Sequence, residues 1–375
     1  MSAEGPPGDS GRPITIAVDA MGGDHAPTQV VAGAVAAAAD GIGVVLAGRV
    51  SELRPLLAAH AGNGGRSRGH GLPSGAGEPA AADRIQLAAA DDSLAMDEGA
   101  LASWRRPRSS VAVACQLVRR GQADAVVSAG STGGIVATAR LRLRSQSGVL
   151  RPGLAVVLPT EPQPTLLVDA GAIADPKPEM LLQFAQLGVA YAQVACGIAE
   201  PTVGLLTIGS EPAKGNKLIR RAHELLAGTP PHGAMPINFV GNVEGGDLLM
   251  GKANVIVTDG FTGNVALKAV EGAVAYTTGQ VRGVLQGSAT ARFGAMFQRR
   301  ALRELRARMD AETYGGAALL GLEGTVVIAH GAATARGISS ACSLAAGLAR
   351  GQITEKIRER FGPSRSGHFL RRGTT

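Results

Sequence analysis

The chain has 375 residues, 45% of them hydrophobic but only 3% aromatic, with 53 glycines and a formal net charge of +7. A core of Ala, Val, Leu and Ile among so many glycines suits buried parallel strands and tight turns and argues against a β-sandwich. Dispersed Cys115, Cys196 and Cys342 exclude a disulfide framework and indicate a reduced compartment, and the scarcity of aromatic residues leaves no stacking surface for nucleic acid.

Residues 1–13 are polar and rich in Gly and Pro, with no apolar leader, so they are expected to be disordered and the chain cytoplasmic. The run 30–48 is broken by Asp40 and diluted by Gly and Ala, too weak to span a bilayer. Short apolar runs then recur. Residues 14–18, 125–127, 203–208, 255–257 and 326–329 each end in a small-residue loop that opens a helix. Further strands are expected at 43–47, 85–89, 154–158, 165–168 and 237–240. Strands alternating with helices predict an α/β fold, a three-layer α/β/α sandwich with a mostly parallel sheet. In such sheets ligands bind beyond the carboxyl ends of the strands, so all five loops are expected on one edge. Residues 62–79, rich in Gly, Ser, Arg and His, form a disordered insertion in a single domain spanning 14–362. Residues from about 270 to 314 read as long helices without a strand, a hairpin turning near 287–288, and 363–375 form a basic tail.

Five groups of residues carry possible chemistry, each with a structural alternative. In the loop 128–134, SAGSTGG, Gly130 and Gly133 let backbone amides converge while Ser131 and Thr132 add hydroxyls at a helix start; such a loop holds an anion or simply gives a turn room. Lys214 beside Asn216 and Lys217 either neutralises a phosphate and polarises a carbonyl or forms a solvated turn. Asp259, Thr262, Asn264 and Lys268 share one strand-to-helix loop, where the carboxylate orients a donor or the residues cap a helix. Asn242 offers an amide to a developing oxyanion or is a buried, bonded asparagine. Asp19, Asp24 and His25 crowd the first loop, a pairing used in acid–base chemistry and also in loop structure; His330 has the same two readings.

No dinucleotide fingerprint, Walker motif, nucleophile elbow or zinc pattern occurs. No metal and no cofactor is therefore expected. An enzyme with phosphate-like loops and no protein nucleophile could use phosphate itself as the attacking group, with the protein supplying position and charge.

Segments 16–27, 175–179, 214–216, 238–244, 257–264 and 314–316 resemble, in order, the acyl-carrier-protein:phosphate acyltransferases of bacterial phospholipid synthesis. The resemblance implies a homodimer with a sheet like that of the isocitrate dehydrogenase and phosphate acetyltransferase folds. It also implies conversion of fatty acyl-carrier protein and phosphate to acyl phosphate and free carrier, with the product passed to a membrane glycerol-3-phosphate acyltransferase. Contact with an anionic membrane surface is implied as well, and the acidic carrier protein would meet Arg105, Arg106 and Arg108. In this frame Lys214, Asn242, Asp259 and His25 are the expected catalytic residues. Ser131, Ile173 and Ala332 depart from the family pattern. The rival readings are a short-chain acyl-CoA:phosphate transferase, a decarboxylating dehydrogenase and a non-catalytic membrane-recruited scaffold.

Overall fold

A computed structural model describes residues 13–63, 81–98, 101–228, 235–309 and 311–361. The first half runs β1 (Thr15–Asp19), α1 (Thr28–Ala39), β2 (Gly43–Gly48), α2 (Val50–Asn63), β3 (Ile85–Ala89), α3 (Ala102–Arg105), α4 (Ser110–Arg119), β4 (Ala125–Ser128) and α5 (Thr132–Leu143). Then come β5 (Gly153–Leu158), β6 (Thr165–Val168), α6 (Pro178–Ala195), β7 (Thr202–Thr207), α7 (Lys217–Ala227), β8 (Asn238–Glu244) and β9 (Val255–Val257). The chain finishes with α8 (Gly260–Gln286), α9 (Ala289–Phe297), α10 (Arg299–Met309), β10 (Ala317–Leu320), β11 (Thr325–Ile328), α11 (Ala335–Arg350) and α12 (Ile353–Phe361). Of the expected insertion at 62–79, residues 62 and 63 belong to α2 and the remainder lies outside the described residues, as do 1–12 and the tail 363–375.

The strands form one 11-stranded sheet in the order β3-β2-β1-β4-β11-β10-β5-β6-β9-β7-β8. Its alternate side chains sort into two apolar clusters, one per face. Ile16, Val127, Leu166 and Val257 point to a face covered by α1, α6 and α11. Ala17, Val126, Leu154, Leu167 and Ile256 point to the other, where α4 and α5 pack. The strands are Val-, Leu- and Ala-rich runs buried on both sides, the composition a sheet covered by two helical layers requires.

The expectation that all five loops share one edge is corrected. Strands β1, β2, β3, β4 and β11 are mutually parallel, and β6, β7, β8 and β9 are mutually parallel. Between the groups, β11–β10, β10–β5 and β5–β6 are all antiparallel. Three reversals leave the two groups pointing in opposite directions. The loops after β1, β4 and β11 therefore lie on one edge, called the first, and those after β7 and β9 on the other, the second. The reversal was readable: only six residues separate 158 from 165, and a parallel crossover needs a dozen or more.

Beyond β9 the chain leaves the sheet. At about 1.5 Å per residue, the 27 residues of α8 extend about 40 Å. α8 stops at Gly287, and Ser288 caps α9 by accepting the Ala291 N–H at 3.0 Å. A second break at Gln298 separates α9 from α10. Tyr276, Val284, Phe293 and Phe297 are 70%, 73%, 62% and 73% exposed on this arm.

Candidate active site

A cavity of about 1020 Å³ lies on the sheet face between α5 and α8. Leu154 and Val156 of β5, Ala317 of β10 and Ile328 of β11 form its floor, and Leu267, Val270 and Val274 of α8 form its roof. At the first edge it is bounded by Gly130, Ser131, Thr132, His330 and Gly331. At the second it is bounded by Ala170, Gly171, Gly260, Phe261 and Asn264. The cavity is thus a trough crossing the sheet from edge to edge, apolar in the middle and polar at both ends.

The second edge is built around Asp169, a fully buried carboxylate. Its Oδ1 accepts the N–H groups of Leu154 at 3.0 Å, Gly171 at 3.1 Å and Ala172 at 2.9 Å, and its Oδ2 accepts that of Ile173 at 2.7 Å. Burial pushes this carboxyl up from its ordinary value while the four amides pull it down. The loop so fixed receives the start of α8. Gly260 donates to the Ile173 carbonyl at 2.9 Å, and a Cβ on Gly263 would overlap the Asp169 carbonyl; only glycine lets helix and loop approach so closely. Asp259 caps α8, accepting the Thr262 N–H and the Thr262 hydroxyl at 2.8 Å each. Asn264 and Lys268 then line the trough, with Lys268 paired to Glu271 at 2.7 Å.

Lys214 and Asn216 follow β7 at this same edge, but neither lines the trough. Lys214 is about half exposed, with Glu211 4.0 Å away. Asn216 caps α7, its Oδ1 accepting the Ile219 N–H at 2.9 Å. Asn242, expected to donate to an oxyanion, has its amide committed elsewhere. Nδ2 donates to the Glu211 carbonyl at 2.8 Å, and Oδ1 meets Nδ1 of His223 at 2.9 Å. It fastens the loop that carries Lys214.

At the first edge, Asp19 is buried and accepts the Ser128 hydroxyl at 2.6 Å and the Met21 N–H at 3.2 Å. It joins the loops after β1 and β4 from beneath. Burial raises its carboxyl above the ordinary range, against the lowering influence of the Ser110 and Ser128 hydroxyls. Ser131 caps α5, its hydroxyl accepting the Gly134 N–H at 3.3 Å and reaching the Glu98 carbonyl at 3.4 Å. Gly130 and Thr132 face the trough; Gly133 does not line it. Asp24 and His25 are exposed and outside the trough, whereas His330 lines it. The Nδ1 of His330 accepts the Ala332 N–H at 3.2 Å, so in the neutral ring Nε2 carries the proton. β4 and β7 are six strand spacings apart, about 29 Å at about 4.8 Å each. Ser131 and Lys214 therefore cannot hold one phosphate between them, as the single-edge expectation required.

Of the three arginines expected to meet a carrier protein, Arg105 and Arg108 are exposed. Arg106 is engaged within the chain, reaching Asp92 at 2.8 Å and Glu98 at 2.6 Å. Burial pushes the thiols of Cys115 and Cys342 up to about 12 and that of Cys196 to about 11, so none is a ready thiolate nucleophile at neutral pH. Among the described residues no cluster of His, Cys, Asp and Glu is arranged to hold a metal ion. The residues that sequence reasoning missed include Asp169, Gly171 and the floor pair Val156 and Ala317. Floor residues read as core, whereas Gly171 stood in the small-residue loop 169–174, a detectable signal.

The family model described as "Fatty acid synthesis protein" matches residues 14–356. The chain is 58% identical over 374 residues to the phosphate acyltransferase of Thermobifida fusca, covering 99% of this chain and 97% of that one. It is 42% identical to that of Thermus thermophilus over 348 residues, covering 93% and 98%. Among solved structures, a phosphotransacetylase from Streptococcus pyogenes superposes with a TM-score of 0.58 at 17% identity, covering 92% of this chain and 94% of that one. One from Staphylococcus aureus gives 0.54 at 16%, covering 91% and 95%. These two likenesses establish the α/β fold with its mostly parallel sheet.

Proposed function

This chain belongs to the fatty acid synthesis protein family and is a phosphate acyltransferase of phospholipid synthesis, and from that premise we propose that its acyl donor is a fatty acyl thioester on an acyl carrier protein. The observation that carries this reading is the trough, in which an apolar floor is continuous with a polar end where α8 begins. A fatty chain needs the first and a transferring phosphate the second.

The reaction centre is assigned to the second edge, where Lys268 and Asn264 line the trough beside the start of α8. Lys268 offsets the phosphate dianion, with Lys214 on the neighbouring loop after β7 adding positive charge, while Asn264 and the positive end of the α8 dipole face the carbonyl. A phosphate oxygen attacks the thioester carbon, forming the C–O–P linkage. The tetrahedral intermediate collapses with cleavage of the C–S bond, and the proton of monohydrogen phosphate ends on the departing thiolate. Asp259 holds Thr262 and the helix start in place, and Asn242 positions Lys214 through its loop. Asp24 and His25, on the far edge, take no part in this centre.

Purified protein with palmitoyl-carrier protein and phosphate should release free carrier thiol and an acyl phosphate trapped by hydroxylamine in equal amounts. Better turnover of acetyl- or butyryl-CoA would favour a short-chain transferase instead.

We further propose a cytoplasmic homodimer that touches anionic membrane transiently and delivers acyl phosphate to a membrane glycerol-3-phosphate acyltransferase. Exposed Tyr276 and Val284 support pairing of two arms, and Phe293 and Phe297, packed edge to face with centroids 5.1 Å apart, support membrane contact. A net charge of +7 with Arg105 and Arg108 exposed suits an acidic carrier. No helix among the described residues is long and apolar enough to cross a membrane.

A further inference from the structure

The floor of the trough has a low point. Across the sheet, Ile328 pairs with Ala317, Ala317 with Val156, and Val156 with Leu167. Cross-strand partners share a face, so these four side chains form one row, of which Ile328, Ala317 and Val156 line the cavity. The row is large at both ends and small in the middle, where Ala317 contributes a single methyl. Glu271 and Lys268 on the roof pair with each other, and Val270 and Val274 present the apolar surface opposite.

We propose that the acyl chain crosses the sheet through this dip and that Ala317, with Val156 beside it, determines which chain lengths are accepted. The proposal rests on the acyl-thioester reading above. With the reacting carbonyl near Gly171 and Asn264, the chain enters over Leu154 and meets the Val156–Ala317 pair two residues along β5. That is about 7 Å of strand. A chain with C–C bonds of about 1.5 Å and angles near 111° advances about 1.25 Å per carbon, so the dip falls at about the sixth carbon. Shorter chains stop before it, and longer ones must pass over it. Each methylene buried beyond that point should improve kcat/KM about fourfold, equivalent to about 0.8 kcal/mol, until the floor is filled.

The variants are Ala317→Phe, which fills the dip, and Val156→Ala, which deepens it. Two readouts are used: acyl phosphate formation from hexanoyl, palmitoyl and methyl-branched long-chain thioesters, and calorimetric binding of free hexanoate and palmitate. Ala317→Phe should lower the palmitoyl-to-hexanoyl ratio of kcat/KM at least tenfold and weaken palmitate binding by a similar factor. Val156→Ala should raise relative use of a methyl-branched long chain at least threefold. Unchanged length profiles in both variants, or palmitate binding indifferent to Ala317, would overturn the proposal. A wild type that binds palmitate in an Ala317-dependent way yet forms no acyl phosphate would sustain the groove and sink the donor assignment instead. A uniform loss in Ala317→Phe, together with an unaltered profile in Val156→Ala, would also overturn it.

Discussion

Replacing Asp169 tests whether the second edge of the sheet is organised as described. Its carboxylate satisfies four backbone N–H groups, three on Oδ1 and one on Oδ2. Asp169→Ala leaves all four without that acceptor. A buried unsatisfied donor costs about 1–3 kcal/mol, and with the three loop amides partly able to turn to water the total is about 3–6 kcal/mol. An unfolding entropy of about 2.1 cal/mol/K per residue over 375 residues is about 0.8 kcal/mol/K, so Tm should fall by about 4–8 °C. Asp169→Asn is the sharper comparison. Its oxygen can keep the three Oδ1 bonds while its amide confronts only the Ile173 N–H, costing about 1–3 kcal/mol or roughly 1–4 °C. Thermal unfolding by circular dichroism measures both, and the KM for the acyl donor should rise in the same order. A melting point within 1 °C of wild type in Asp169→Ala, or an Asn variant weaker than the Ala variant, would refute this account.

Lys214→Ala should lower kcat/KM for phosphate by roughly a hundredfold without changing Tm. Asn242→Ala should match that loss and also melt lower, because it frees the loop; near-normal phosphate kinetics in both would remove this loop from the mechanism. Burial raises the Asp19 carboxyl above 3.8, so the folded state keeps a proton that the unfolded chain has released. Its contribution is therefore full below about pH 4 and lost as pH rises through the raised value. Urea titrations from pH 4 to 7 should show a shallower decline for Asp19→Asn than for wild type, and an equal slope would contradict the direction. The double variant Phe293→Glu/Phe297→Glu should stay dimeric and active but no longer sediment with anionic liposomes, which the wild type should do less strongly in high salt. Monomers instead would make the arm tip a subunit contact.

Strands were legible where Val, Ile and Leu run together before a glycine-rich loop. β10 was not, because Ala-Ala-Leu-Leu carries no β-branched residue. It follows Gly315 and Gly316, whose φ values of 76° and 95° read as an ordinary turn. Sequence neighbours of strand ends were correctly brought to sheet edges, and Asn264, Lys268, Gly130 and Thr132 do border one trough. Which edge each joins depended on strand direction, and direction was decided by the short β5–β6 connection and by β10. The role of Asn242 was hidden because its partners, the carbonyls of Gly209 and Glu211, lie about thirty residues away and leave no local pattern.

The position of β10 and β11 bears on how the chain is made. They sit at the centre of the sheet, joining β4 to β5, yet are the last two strands to leave the ribosome. Until residue 328 has emerged, the two parallel groups have no shared hydrogen-bonded ladder, and each presents an unpaired, largely apolar strand edge. Such edges are the features by which nascent chains misassociate. A chain arrested before residue 317 is therefore two sheets awaiting a keystone. Pulse proteolysis of ribosome-bound chains of increasing length should show protection of both halves rising together only after β11 is exposed.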